Sequence, residues 1–272
     1  MHEAPKFAPT SSWDPSPDTV RLGSDEVHVW CAALDLEASS VHNLQQILSA
    51  DERARAERFY FCKDRERFIV ARGLLRVILG CYLDMEPGQL RFCYRPHGKP
   101  TPAKGSGMGE LRFNLSHSHG FALYAIARGR EVGVDLERLR PHLEDEQIAE
   151  RFFSPREIAA LRALPPNMRL EAFFNCWTRK EAFIKARGEG LTLPLDQFDV
   201  SLAPGEPAAL LSINGDRQEA SRWLLQSLAP GPSYVAALAV EGHDLRIKCW
   251  QWPEQQRCMQ RMVELLNHGA TH

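Results

Sequence analysis

The chain has 272 residues, 44% hydrophobic and 25% charged, the composition of an ordinary soluble globular protein with enough length for one large core or two smaller ones. Its formal net charge of −2 excludes bulk electrostatic binding to nucleic acid, which needs a basic face or stripe. No apolar run approaches the roughly 18–20 residues of a membrane span and no signal-peptide pattern is present, so a cytoplasmic protein with no membrane partner is expected.

Pro5, Pro9, Pro15 and Pro17 mark residues 1–24 as a leader, expected to be mobile or draped on the surface. Ser49-Ala50-Asp51-Glu52 is a capping box, with Ser at N-cap and Glu at N3, and opens a short helix. A longer helix follows, from about Asp64 to Gly80. Arg53, Arg55, Arg58, Lys63, Arg65, Arg67 and Arg72 make this region basic, although Glu52, Glu57, Asp64 and Glu66 are interleaved as in a solvated helical surface. The arginines outnumber their local partners, and a planar guanidinium suits phosphate recognition. Strand-like runs come next at Leu90–Tyr94, Leu111–Leu115 and Phe121–Ala127. His97-Gly98-Lys99-Pro100 is a turn signal, and Lys99 reaches either a ligand or solvent. Phe113 to Gly120 (FNLSHSHG) reads as a turn between strands, offering hydroxyls, imidazoles and backbone N–H groups to phosphate oxygens, or simply as a polar hairpin.

Residues 131–137 (EVGVDLE) read as a strand, because Val132, Val134 and Leu136 alternate with Gly133, Asp135 and Glu137. Asp135 and Glu137 then leave the same face, roughly 6–7 Å apart along the backbone. Two carboxylates so placed repel unless a cation or solvent separates them. Ser154-Pro155-Arg156-Glu157 is a second capping box, with Pro155 at the first helical position. A second long helix runs from about Leu170 to Arg187, with Trp177, Glu181 and Lys185 stacked at i, i+4 and i+8. Glu181 and Lys185 form a common surface ion-pair pattern, but an indole rarely shares a fully solvated stripe. Strands follow near Phe198–Leu202, Ala208–Ile213, Tyr234–Val240 and Leu245–Trp250.

Capping box, long helix, strands, then the same again: the order suggests an α+β fold of two pseudo-symmetric halves with a ligand cleft between them. The halves are placed at 25–130 and 131–252, with a tail from 253 to 272. If strand and second helix pack together, Asp135, Glu137, Glu181 and Lys185 converge. Hard carboxylate oxygens suit Mg²⁺, which keeps waters and binds substrate phosphates, so phosphate chemistry is expected. The seven cysteines are odd in number and include no Cys-x-x-Cys pair, as befits a reduced compartment without disulfides or a zinc ribbon.

RFYFCKDRERF, HGKP, FNLSHS, GVDLE, RFFSPRE and WTRKEAFIKARGEGLTLPL, in this order and spacing, resemble the motifs of the larger, Sfp-type 4′-phosphopantetheinyl transferases. The resemblance covers roughly residues 25–250. It implies the fold of that family and its activity: moving the phosphopantetheine arm of coenzyme A to a serine of an apo acyl or peptidyl carrier protein, with release of adenosine 3′,5′-bisphosphate. It implies Asp135, Glu137 and Glu181 as ligands of Mg²⁺ (or Mn²⁺), and Lys185 on the pyrophosphate and departing phosphate. It places His117 and Arg67 on the 3′-phosphate, Ser116 beside the pyrophosphate, and Gly98, Lys99 and Pro100 around the adenine. Glu52 and Arg55 stand where many members carry phosphate-gripping lysines, so Arg53 or Arg55 is expected to substitute. Phe68 replaces a small hydroxyl residue.

Glu181 is expected as the base for the incoming serine, directly or through a metal-bound water. An acidic carrier is expected to dock near Phe152 to Leu164, against Arg151, Arg156 and Arg162. One chain supplying the whole cleft implies a monomer. The competing readings are a Mg²⁺-dependent phosphohydrolase acting on coenzyme A or a nucleotide, and a non-catalytic coenzyme A-binding module.

Overall fold

The computed structural model describes residues 13–17, 19–94, 100–103, 107–140, 145–188 and 193–253. Its first sheet runs in the order β1 (Asp14–Pro15), β12 (Arg246–Gln251), β2 (Glu26–Ala33), β6 (Phe121–Arg128) and β5 (Leu111–Ser118). The second runs β10 (Trp223–Leu228), β11 (Tyr234–Glu241) and β7 (Val132–Arg138), all antiparallel. β3 (Phe92–Tyr94) with β4 (Pro100–Pro102), and β8 (Phe198–Val200) with β9 (Leu210–Ile213), make two small ribbons. The helices are α1 (Ala38–Gln46), α2 (Ala50–Ala56), α3 (Cys62–Leu83), α4 (Asp145–Phe152), α5 (Pro155–Ala163), α6 (Pro166–Arg187) and α7 (Arg217–Ala220).

The period-2 alternation of strand side chains divides these elements into four layers. Trp30, Ala32, Tyr124 and Ile126 turn from the first sheet toward α3, with Leu74, Leu75 and Ile78 in the same core. Val29, Cys31, Leu123 and Ala125 leave its opposite face and meet Val132, Val134, Leu136 and Leu238 of the second sheet. Ala237 and Ala239 leave the far face of that sheet and pack with Ala182, Phe183 and Ala186 of α6. Even-numbered β7 residues therefore join the sheets together, while Gly133, Asp135 and Glu137 face α6.

An internal repeat is written in buried charge. In α2, Glu52 accepts from the Ser49 N–H at 3.1 Å and from Arg76 Nε of α3 at 2.7 Å. In α5, Glu157 accepts from the Ser154 N–H at 2.8 Å and pairs with Lys180 Nζ of α6 at 2.8 Å. Both cations are buried, and both donate onward to backbone carbonyls: Arg76 to Pro87 and Leu90, Lys180 to Leu195 and Phe198. Each also lies over an aromatic ring, Arg76 over Phe92 and Lys180 over Phe198. Breaking one side of such a pair strands a buried charge at a cost of about 3–5 kcal/mol. The capping boxes thus fix the short helix to the long one in each half, and α3 and α6 are each 22 residues long.

Three features differ from the sequence reading. The strand near 245–250, assigned to the second half, pairs in parallel with β2 of the first sheet, so the chain crosses back at its end. Alternation shows that a strand exists, not which sheet takes it. β2 and β10 went unread; β2 is buried along nearly its whole length and β10 is largely part-buried, so neither gives the regular polar–apolar alternation that marks a half-exposed strand. Residues 116–118 belong to β5, and the turn is only His119-Gly120, both at positive φ (44° and 92°). The leader's described end is held, with Trp13 Nε1 donating to the Ala229 carbonyl at 2.7 Å and Asp14 paired with Trp250.

Candidate active site

β7 and α6 carry the acids, and a glycine sets how closely they meet. A Cβ at Gly133 would fall on the Ala182 carbonyl oxygen and the backbone of Ala186. With Ala182 and Ala186 also small, strand and helix approach backbone to backbone. Asp135, one strand repeat beyond Gly133, then lies beside Lys185: Nζ to Oδ1 is 2.5 Å. Ser116 of β5 completes a triangle, donating to Asp135 Oδ1 at 2.9 Å and accepting from Lys185 Nζ at 3.0 Å. First and second halves therefore meet at this point.

Asp135 is 3% exposed, and its Oδ2 has no hydrogen-bond partner among the described residues. A buried carboxylate oxygen without a partner is costly and calls for a missing one. Burial, and then the charge of Asp135, raise the carboxyl pKa of both Glu137 and Glu181 above the ordinary value; Lys185 works against both shifts, and Ser118 against that of Glu137. Two carboxyls whose ionisation is penalised beside a third carboxylate suit a cation between them. Among the described residues, no three His, Cys, Asp or Glu side chains are arranged to enclose an ion unaided. The donors fit a hard ion whose coordination is completed from outside the chain.

His117 points from β5 to the opposite, α3 side. The residue is exposed at its surface, yet desolvation, and then the charges of Lys185, Arg72 and Arg67, lower its pKa. Arg67 is held by Asp35, Nε to Oδ1 at 2.6 Å and Nη2 to Oδ2 at 2.7 Å, and this pairing pulls the Asp35 carboxyl below its usual range. A cationic face thus adjoins the acidic one across β5.

The remaining expected residues divide. Arg55 stands over the Phe68 ring at 5.6 Å, as does Arg72, while Arg53 turns back to donate to the Leu48 carbonyl. Glu52 is consumed by Arg76 and Tyr94. Pro100 is buried in β4 opposite Tyr94; Gly98 and Lys99 lie outside the described residues. Trp177 packs on Phe152 and Phe173. Arg156 is exposed, Arg162 pairs with Glu150 at 2.6 Å, and Arg151 lies over Phe152. A cavity of about 210 Å³ lined by Ala149, Ile158, Leu161, Leu170 and Phe173 is separate from the acids. Sequence reasoning gave no individual role to Ser118, Gly133 and Asp35; Ser118 lay in the FNLSHSHG run read for its hydroxyls, Gly133 carried a signal as a glycine in a strand beside two acids, and Asp35 carried none.

Comparison with known proteins finds matches on both halves. A model of the 4′-phosphopantetheinyl transferase superfamily matches residues 131–239, and one described as 4′-phosphopantetheinyl transferase, N-terminal, matches residues 37–128. The 4′-phosphopantetheinyl transferase HetI of Nostoc sp. is 45% identical over 241 residues, 89% of this chain and 98% of that protein. The 4′-phosphopantetheinyl transferase Sfp of Bacillus subtilis is 32% identical over 155 residues, 57% of this chain and 66% of that protein. With a family model on each half and a relative matched along nearly its whole length, this chain belongs to the 4′-phosphopantetheinyl transferase superfamily.

Proposed function

We propose that the junction of β5, β7 and α6 transfers the 4′-phosphopantetheine arm of coenzyme A to a serine of an apo carrier protein in a Mg²⁺-dependent reaction. The observation that carries this is the unpartnered, buried Oδ2 of Asp135, beside Glu137 and Glu181, whose carboxyl pKa values burial and the charge of Asp135 raise. Asp135, Glu137 and Glu181 would hold the metal together with pyrophosphate oxygens and water. The ion, or Mn²⁺ in its place, would neutralise charge growing on the leaving phosphate. Lys185 and Ser116 border the same oxygen of Asp135, so a pyrophosphate bound there meets the ammonium as well. His117 and Arg67, on the cationic side of β5, suit the 3′-phosphate, with Arg55 and the segment around Pro100 toward the nucleotide.

In the transfer, the carrier serine oxygen forms a bond to the phosphorus that bears the pantetheine. The bond from that phosphorus to the nucleotide phosphate breaks, and adenosine 3′,5′-bisphosphate leaves. A serine hydroxyl is nearly unionised at neutral pH and needs a base. Glu181 takes that proton, directly or through an intervening water.

In this reading the half from 25 to 130 serves the nucleotide and the half from 131 to 252 serves the metal and the acceptor. The carrier docks by the exposed arginines of α4 and α5. One chain supplies both halves, so the protein works as a monomer, in the cytoplasm where carriers and coenzyme A meet. No described helix is long and apolar enough to cross a membrane.

The test is an incubation of apo carrier protein, coenzyme A and Mg²⁺ read by intact mass. A carrier heavier by one phosphopantetheinyl group, with none when Mg²⁺ is chelated, is the expected result. Coenzyme A cleaved while the carrier stays unmodified would overturn it.

A further inference from the structure

β5 and β7 are the facing edges of the two sheets, yet among the described residues no backbone ladder joins them. Side chains of β5 make the joint. Asn114 Oδ1 accepts from the Val134 N–H at 2.8 Å, Ser116 Oγ from that of Leu136 at 3.3 Å, and Ser118 Oγ from that of Arg138 at 3.3 Å. All three are buried, and all lie at alternate positions on one face of the strand. Their side chains take the place of a neighbouring strand's carbonyls, leaving no room for a ladder.

Each serine does a second task. Ser116 donates its single proton to Asp135 while accepting from Lys185 Nζ. Two residues on, the pattern recurs. Ser118 Oγ lies 3.0 Å from Glu137 Oε2 and 3.1 Å from His119 Nδ1. Arg140 Nη1 is 3.0 Å from the other nitrogen of that ring, Nε2. A guanidinium can only donate, so Nε2 accepts, and the neutral ring carries its proton on Nδ1. His119 therefore donates to Ser118, and the hydroxyl proton of Ser118 is left to Glu137. His119 is itself fixed at positive φ, with its carbonyl accepting from the Tyr234 hydroxyl at 2.9 Å.

We propose that Ser118, aimed by His119, is a positioning residue for Glu137, holding that carboxylate in place to bind the metal as Ser116 holds Asp135. The inference rests on the reading of Glu137 as a ligand. It adds that the position of Glu137, a residue of the second half, is imposed by a hydroxyl of the first. Partners that orient a ligating carboxylate matter on a scale of roughly 10–100-fold in metal affinity.

Asn114 supplies the control, since it makes the same kind of stitch to β7 and, among the described residues, bonds no acid. Mn²⁺ is titrated into the protein with coenzyme A present and no carrier, and bound Mn²⁺ is read by electron paramagnetic resonance. Ser118→Ala is expected to weaken Mn²⁺ binding about 10-fold or more, and Asn114→Ala to leave it near wild type, with both variants folded by circular dichroism. Should Ser118→Ala not fold, Ser118→Cys, similar in size and a weaker donor, is read against the same control and is expected to bind Mn²⁺ more weakly than wild type. Wild-type affinity in the Ser118 variant, or an equal loss in Asn114→Ala, overturns the proposal and leaves the metal reading standing. A wild-type protein that binds no Mn²⁺ overturns both.

Discussion

Glu181 and Lys185 began as the most ordinary pattern on the chain, an acid four residues before a base on a helix. Tertiary contacts give them separate work. Lys185 is drawn to Asp135 across the α6–β7 seam, and Glu181 is desolvated among acids. Within the same WTRKE run, Arg179 and Lys180 are buried for the fold: Arg179 bonds Ser201 and Ser227, and Lys180 pairs with Glu157. Adjacent charged residues thus differ in purpose by the helix face they occupy. Glu181→Gln keeps the shape and removes the base, so carrier modification should fall by about 10²–10⁴-fold while the melting temperature changes little. Near-normal turnover of the carrier by this variant would rule Glu181 out.

At the scale of elements, the seam between β7 and α6 depends on one missing side chain. At Gly133 an added methyl meets backbone, which cannot swing aside as a flexible side chain would. Gly133→Ala should therefore move α6 off the strand, at an overpacking cost of about 1–3 kcal/mol. The same displacement separates Asp135 from Lys185. Transfer measured well below the variant's melting temperature should drop further than the loss of folded protein explains, and activity in proportion to folded protein would refute the argument. The capping boxes were legible as sequence because they are local, spanning four residues. Their coupling to Arg76 and Lys180 was not, because 24 and 23 residues separate the partners.

At the scale of the whole molecule, the first core carries an acid sensitivity of its own. His28, in the first core, accepts from the Tyr82 hydroxyl at 2.8 Å on Nδ1 and lies 3.1 Å from Glu26 Oε2 on Nε2. Burial pushes its pKa from 6.5 down to about 4, against the pull of Glu26. The unfolded chain then binds the proton more readily, so stability is lost as the pH falls from 6.5 toward about 4. The hydrogen bond from Lys248, above all, lowers Glu26 to about 2, which extends the loss below 4.5. His28→Gln, followed by urea unfolding across pH 7 to 4, should flatten the upper part of this slope; an unchanged slope would show that His28 does not cause it. The sequence by itself determined what is periodic or local: the two long helices, the acid strand, the capping boxes, and the family resemblance carried by motifs about forty residues apart. Only the tertiary structure decided which sheet receives β12, that FNLSHS is a strand stitching two sheets, that Glu52 is spent on Arg76, and that Ser118 reaches Glu137. The reason is physical. A helix or strand signature is set by neighbours within a few residues, whereas the partner of a buried charge or of an unpaired sheet edge is set by packing in three dimensions, which one-dimensional spacing does not encode.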